Sequence, residues 1–242
     1  MGAKSVFLGL ALAVLVTGCA TLPSGERDPR DRFERTNRAI YKFNDALDRG
    51  VAKPVAKAYV KVTPAPVRTG FSNFFRNLTS PTVIVNDLLQ LKVKEFASET
   101  ARLVVNTTVG IGGLFDPASQ IGLRAGNEDF GQTLGQWGVP AGPYLMLPIF
   151  GPSSVRDAVG LAADQFTDPK NYVKNNYAYW GLTGMSLVDT RAELLIADNV
   201  LEDSFDPYAF IRNAYLQRRE YLVKDGSVPE EELELFEDEP AN

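Results

Sequence analysis

A single, mainly α-helical domain is the fold class this sequence predicts, and three observations predict it. Apolar residues recur at helical spacing in several segments, and no series of alternating strands accompanies them. Neither an internal repeat nor a shift of composition divides the body of the chain. The 242 residues are 45% hydrophobic, ample for one buried core. One stretch stands apart: residues 130–155, FGQTLGQWGVPAGPYLMLPIFGPSSV, hold no Asp, Glu, Lys or Arg in a chain that is 23% charged.

At the start, Lys4 precedes an apolar run from Val6 to Val16 that closes on Val-Thr-Gly-Cys. Residues 1–18 therefore read as a secretory signal, too short and wrongly flanked for a membrane span. Its ending resembles the lipobox of bacterial lipoproteins, in which the cysteine becomes the first residue and is acylated. Cys19 is the only cysteine, which leaves no disulfide and no free thiol for catalysis. Several acyl chains, at about 0.8 kcal/mol per buried methylene, hold a protein on a membrane far more firmly than one. Ala20 follows where an Asp commonly marks retention at the inner membrane, so the resemblance sends the chain to the periplasmic leaflet of the outer membrane. Residues 19–30 then form a lipidated tether, 31–224 the helical domain and 225–242 an acidic tail.

The first helix of the body carries Phe33, Ile40, Phe43, Leu47 and Val51 on one stripe, with Asn37 and Asn44 nearly aligned with it. Such amides are either hydrogen-bonded core residues or the lining of a wet passage. Pro54 suits the first turn of a short helix to about Lys61, and Pro64 and Pro66 break it. Between Pro66 and Pro81, Val67, Phe71, Phe74, Phe75 and Leu78 make a strongly amphipathic helix. Its phenylalanines belong either to the core or to the acyl-chain boundary of a membrane. A bent or broken helix is expected from Thr82 to Val109, with Leu88, Leu91, Phe96, Leu103 and Val104 inward.

Only Asp116, Arg124, Glu128 and Asp129 are charged between Leu103 and Val155. With four prolines and five glycines, residues 130–155 cannot be a spanning helix and need local pairing as a hairpin, or a folded loop, to hide their backbone. Ser153 is expected to cap the next helix. A helix from about Leu187 to Glu202 follows. Asp206 and Pro207 open the last one, which stacks Tyr208, Ile211, Tyr215 and Leu222 and stops at Gly226.

The net charge of −5 is unevenly distributed: eight acids and no base lie from Asp225 onward. No basic stripe suggests nucleic acid. The chain has no histidine, no GxSxG elbow and, around Gly110, Gly112 and Gly113, no complete phosphate loop. Zinc, Ser-His-Asp and Cys-His chemistry are thereby removed, and no metal, cofactor or catalytic residue is expected.

Five strings together resemble the MlaA family, also called VacJ lipoproteins: NRAIYKFN, NLTSP, NTTVGIGGLFDPAS, EDFGQTLGQWGVPAGPYLMLPIFGPSSVRDAVG and DPYAFIRNAYLQRR. The resemblance runs from about Asp31 to Arg219. It implies a helical ring embedded in one leaflet around an amphipathic channel. It also implies association with a trimeric outer-membrane porin, and retrograde removal of misplaced phospholipid to a soluble periplasmic carrier. On this reading Asn37, Phe43 and Asn44 are channel candidates, and Tyr144, Leu145, Met146, Leu147, Ile149 and Phe150 contact lipid or gate the passage. Phe71, Phe74 and Phe75 are the candidates for a membrane-facing helix. A structural lipoprotein that only buttresses a porin, and a phospholipid hydrolase at the same surface, are the competing classes.

Overall fold

A computed structural model describes residues 28–226. The expected signal, Cys19 and the acidic tail beyond Gly226 lie outside the described residues. Helix α1 (Glu34–Leu47), a single π-helical turn (Asp48–Ala52) and α2 (Lys53–Val62) run on without interruption. In the wider turn the Lys53 N–H reaches the Asp48 carbonyl, and Pro54 follows directly at the start of α2.

Helix α3 (Ala65–Leu89) overturns the expected boundary at Pro81 by carrying that proline in its interior. Nearby hydroxyls turn back onto the helix: Thr79 Oγ1 and Ser80 Oγ donate to the Arg76 carbonyl at 3.0 and 3.4 Å. Asn86 ties the second half of α3 to the rest, donating to Asp164 at 3.1 Å and accepting from Thr133 Oγ1 at 2.8 Å. The break comes instead at Leu91, whose φ is +60°, with the Lys92 N–H closing on the Asp87 carbonyl.

Helix α4 (Val93–Thr108) packs back along α3, but with the opposite face inward from the one expected. Leu88, Leu91 and Val104 are exposed, Phe96 and Leu103 are half-buried, and the buried positions of α4 are Glu99, Arg102 and Asn106. A buried network explains the inversion. Arg102 donates to both Asp116 oxygens at 3.1 and 3.0 Å and to the Leu123 carbonyl at 2.6 Å, while Glu99 accepts from Ser80 Oγ and the Gly126 N–H. Among the described residues sixteen polar or charged side chains are buried against nine hydrophobic ones.

Two short helices follow, α5 (Pro117–Gln120) and α6 (Phe130–Gln136), and then the expected apolar hairpin. Strands β1 (Tyr144–Leu147) and β2 (Gly151–Ser154) pair antiparallel, with Tyr144 opposite Ser154 and Leu147 opposite Gly151. Helix α7 (Val155–Asp164) crosses α6 where two glycines meet: a Cβ on Gly160 would lie 2.3 Å from the Gly131 nitrogen. Its cap is Ser154, not Ser153: Ser154 Oγ accepts the Asp157 N–H, whereas Ser153 Oγ donates to the Ser154 carbonyl.

Helix α8 (Asn176–Leu194) starts well before the expected Leu187, capped by Asn175, and passes through a 3₁₀ turn (Leu195–Ala197) into α9 (Asp198–Glu202). Helix α10 (Pro207–Val223) opens on Asp206 as expected. Its Tyr208 joins Ile40, Tyr144 and Met146 in the apolar core, flanked by Ile211 and Tyr215.

Candidate functional site

Asn37 and Asn44 hold the hairpin. Asn37 Nδ2 donates to the Tyr144 carbonyl at 3.0 Å and its Oδ1 accepts the Met146 N–H at 2.9 Å. One step along, Asn44 Nδ2 donates to the Leu147 carbonyl at 2.9 Å and its Oδ1 accepts the Ile149 N–H at 2.8 Å. The spacing is a matter of geometry. Seven residues of helix rise about 10.5 Å, and three residues of strand about 10 Å. Two amides on one face of α1 thus take the place of a third strand along β1. Of the two roles open to these amides, the structure gives both the hydrogen-bonded one: Asn37 is buried and spends both amide N–H groups, on Asp31 and the Tyr144 carbonyl, while half-buried Asn44 spends one.

The hairpin tip reaches a cavity of about 760 Å³. Helix α3 contributes Arg76, Thr79, Thr82 and Val83, α7 contributes Leu161, Asp164 and Gln165, and the tip contributes Phe150. Residues 125–128 and, beyond α7, Asp168 and Lys170 complete the wall. Charged and apolar groups are therefore mixed around a space within the usual range of ligand sites.

Most of that charge is already matched. Glu128 accepts from Lys92 at 3.1 Å and Gln90 at 2.9 Å, and Asp168 pairs with Lys170 at 3.2 Å. Burial raises the Asp164 carboxyl above its ordinary range, and hydrogen bonds from the Phe130 N–H and Asn86 oppose that rise. Behind the cavity, Arg219 joins Asp157 at 2.8 Å to Asp129 at 2.9 Å. Burial would lift Asp157, yet Arg219 and Tyr215 outweigh it and hold the carboxyl at about 2.

The profile of the family described as MlaA lipoprotein matches residues 29–222. The chain belongs to the MlaA lipoprotein family. It is 36% identical over 224 residues to the "Intermembrane phospholipid transport system lipoprotein MlaA" of Escherichia coli K12, covering 90% of this chain and 88% of that one. The protein of the same description from Haemophilus influenzae is 33% identical, with 98% of each chain covered. A solved structure described as "Structural basis for maintenance of bacterial outer membrane lipid asymmetry" superposes with a TM-score of 0.71 at 36% identity, over 81% of this chain and all of that one.

Within this MlaA-family fold the expected site residues part company. Tyr144 and Met146 are buried in the core, which removes them from lipid contact; alternation along β1 turns their side chains inward. Leu145 and Leu147 are half-buried on the other face. Ile149 and Phe150 at the turn are 56% and 70% exposed, and Phe43 is also exposed. Phe75 is buried, stacked edge-on against Phe74 at 5.4 Å, and so leaves the set of membrane-facing candidates; Phe71 and Phe74 are half-buried. Arg76 and the polar wall were not expected from the sequence. Their signal was there: Arg76 is the only charged residue between Arg68 and Asp87.

No described helix is long and apolar enough to cross a membrane. Large apolar side chains nevertheless cover much of the exterior, including Val62, Leu91, Val109, Phe166, Tyr177 and Ile196.

Proposed function

We propose that this protein transports phospholipid between membrane surfaces: it removes molecules misplaced in the outer leaflet of the outer membrane and passes them to a soluble periplasmic carrier. The observation that carries this reading is the cavity of about 760 Å³, with polar and apolar walls, in a molecule that buries more polar than hydrophobic side chains and exposes many aliphatic ones. A phospholipid has a charged head and two apolar tails, so its passage needs both kinds of wall. An apolar exterior suits a body sunk into one leaflet, where no water competes for those side chains. Family membership supports the same reading, since relatives carry the description of a phospholipid transport lipoprotein.

In this proposal acylated Cys19 anchors the chain in the periplasmic leaflet, the helices form a ring around the cavity, and a trimeric porin shelters part of the apolar surface. Ile149 and Phe150 are the lipid-contacting residues of the hairpin. With no fuel-binding motif in the sequence, direction comes from differential affinity along the pathway or from energy used elsewhere. The protein acts as a transport component and leaves the lipid intact.

Surface aminophospholipid on intact cells, measured with an impermeant amine-reactive probe, tests the proposal in strains with the gene, without it, and with Cys19→Ser or Phe150→Asp. All three altered strains are expected to gain surface phospholipid without lysolipid. Unchanged surface lipid in the strain lacking the gene would turn the reading to a structural lipoprotein, and released fatty acid or lysolipid to a hydrolase.

A further inference from the structure

Around the cavity every acid in the wall has a partner, and one base does not. Glu128 is held by Lys92 and Gln90, Asp164 by the Phe130 N–H and Asn86, and Asp168 by Lys170. Lys170 is thereby engaged. Arg76, exposed on the α3 wall, has no hydrogen-bond or ion-pair partner for its guanidinium among the described residues. Acids lie close behind it in a small polar crevice that Arg76 also borders, yet they are occupied. Glu99 accepts from Ser80 at 2.7 Å and from the Gly126 N–H at 3.0 Å, and both Asp116 oxygens accept from Arg102 Nη2. The acids behind Arg76 are therefore engaged, and a planar cation is left facing open space.

Guanidinium groups present a rigid fork that fits the oxygens of a phosphate, and such charge-assisted pairs are among the stronger hydrogen bonds. Val83, Leu161 and Phe150 supply apolar surface in the same cavity. A free inorganic anion has no use for that surface; a phosphate carried on acyl chains does. We infer that Arg76 binds the phosphate oxyanion of a lipid headgroup, with the first acyl methylenes lying against Val83, Leu161 and Phe150. This deepens the proposed transport function and rests on it. Arg76 is then what distinguishes a phospholipid from a neutral diacylglycerol with the same tails.

The test uses the full-length acylated protein in a sugar-headgroup detergent, with pyrene-labelled phosphatidylglycerol and pyrene-labelled diacylglycerol as probes and inorganic phosphate as competitor. Arg76→Gln should weaken the phospholipid probe by about tenfold to a hundredfold, the range for losing a hydrogen bond to a charged group. Diacylglycerol binding should not change, and Arg76→Lys should recover much of the loss. Because the side chain bonds nothing in the fold, both variants should unfold at the wild-type temperature. Equal phospholipid affinity in wild type and Arg76→Gln overturns the site while leaving the transport reading intact. Competition by inorganic phosphate, without preference for phospholipid over diacylglycerol, would make this a free-phosphate site and overturn the lipid assignment. Failure of the wild type to bind either lipid probe would remove both the site and the proposed function.

Discussion

Around the hairpin, Ile40, Tyr144, Met146 and Tyr208 bury apolar surface as in any protein folded in water. Along α3 and α4 the pattern reverses: Ser80, Asn86, Asp87, Glu99, Arg102 and Asn106 are buried, while Leu88, Val93, Val104 and Val109 face outward. The first region excludes water by packing, and the second coheres through directed hydrogen bonds. Under the proposed function that contrast is one chain answering to two surroundings, because an apolar exterior gains nothing from hiding its aliphatic side chains where the medium is itself apolar. The polar groups are what must then be satisfied inside.

If the α3–α4 region depends on its wiring, the largest loss should come from Arg102. It is buried and bonded to Asp116, Ser119 and the Leu123 carbonyl. Arg102→Ala takes the countercharge from Asp116, leaving it only the hydrogen bonds from Asn106 and Ser119, and breaking a buried pair in this way costs about 3–5 kcal/mol. Chemical denaturation in detergent should show a midpoint shift of that size. By contrast, the Tyr144 hydroxyl on the hairpin side is buried without a hydrogen-bond partner. Tyr144→Phe should therefore hold or slightly raise stability; a loss comparable to that of Arg102→Ala would erase the distinction between the regions.

The boundary between the regions is the asparagine clamp, and here a smaller effect is expected. Asn37→Ala leaves Asp31, the Tyr144 carbonyl and the Met146 N–H each short of one bond in a buried place. About 2–3 kcal/mol should be lost. The half-buried Asn44 serves a more open end of the hairpin, so Asn44→Ala should cost about 1 kcal/mol. Hydrogen exchange at Met146 and Ile149 can follow the two separately, and a greater loss from Asn44 would mean that the hairpin is fastened at its tip.

How far the sequence discloses this arrangement depends on what each residue pattern encodes. The stripe Tyr208, Ile211 and Tyr215 lies beside the apolar core and was legible, because that side of the molecule follows the usual rule of apolar inside. The charge-free segment was legible as something other than a spanning helix, and its hairpin satisfies the backbone locally. Pro81 misled, since proline ordinarily ends a helix and only the tertiary ties at Asn86 show why α3 continues. Periodicity placed Leu88 and Val104 on a face but could not say which medium that face meets. Glu99, Arg102 and Asn106, spaced i, i+3 and i+7, formed an equally regular stripe on the other side. The clamp amides were visible in sequence as aligned residues; their partners, more than a hundred residues away, were not.

Asp87 gives the polar region a pH signature that reaches neutrality. It is fully buried, neither carboxylate oxygen has a hydrogen-bond partner, and burial with Glu128 and Glu99 nearby pushes its carboxyl up to about 7. In the unfolded chain an aspartate titrates near about 3.9. Between those values the folded state holds a proton that the unfolded state has released, so stability falls as pH rises from about 4 to about 7 and then levels off. Asp87→Asn removes that decline. Expected is a gain of about 4 kcal/mol at pH 8 that vanishes near pH 4, read from thermal unfolding across the range. A parallel decline in wild type and variant would assign the pH dependence to another group.

The smallest effect on folding should come from the residues that make the exterior apolar, and it is the sharpest probe of what that exterior is for. Leu88 and Val104 are 56% and 57% exposed, so Leu88→Ser and Val104→Ser remove little buried surface. Stability in detergent should stay within about 0.5 kcal/mol of wild type, as for surface substitutions generally. In a bilayer these side chains lose an apolar medium, and each methylene withdrawn from it is worth about 0.8 kcal/mol. A double variant without the acyl anchor should therefore partition measurably less into vesicles of outer-membrane phospholipid while unfolding as before. If partitioning is unchanged, the outward face of α3 and α4 rests against protein; if stability falls instead, that face is packed in the folded state and the inversion of the two regions is only partial.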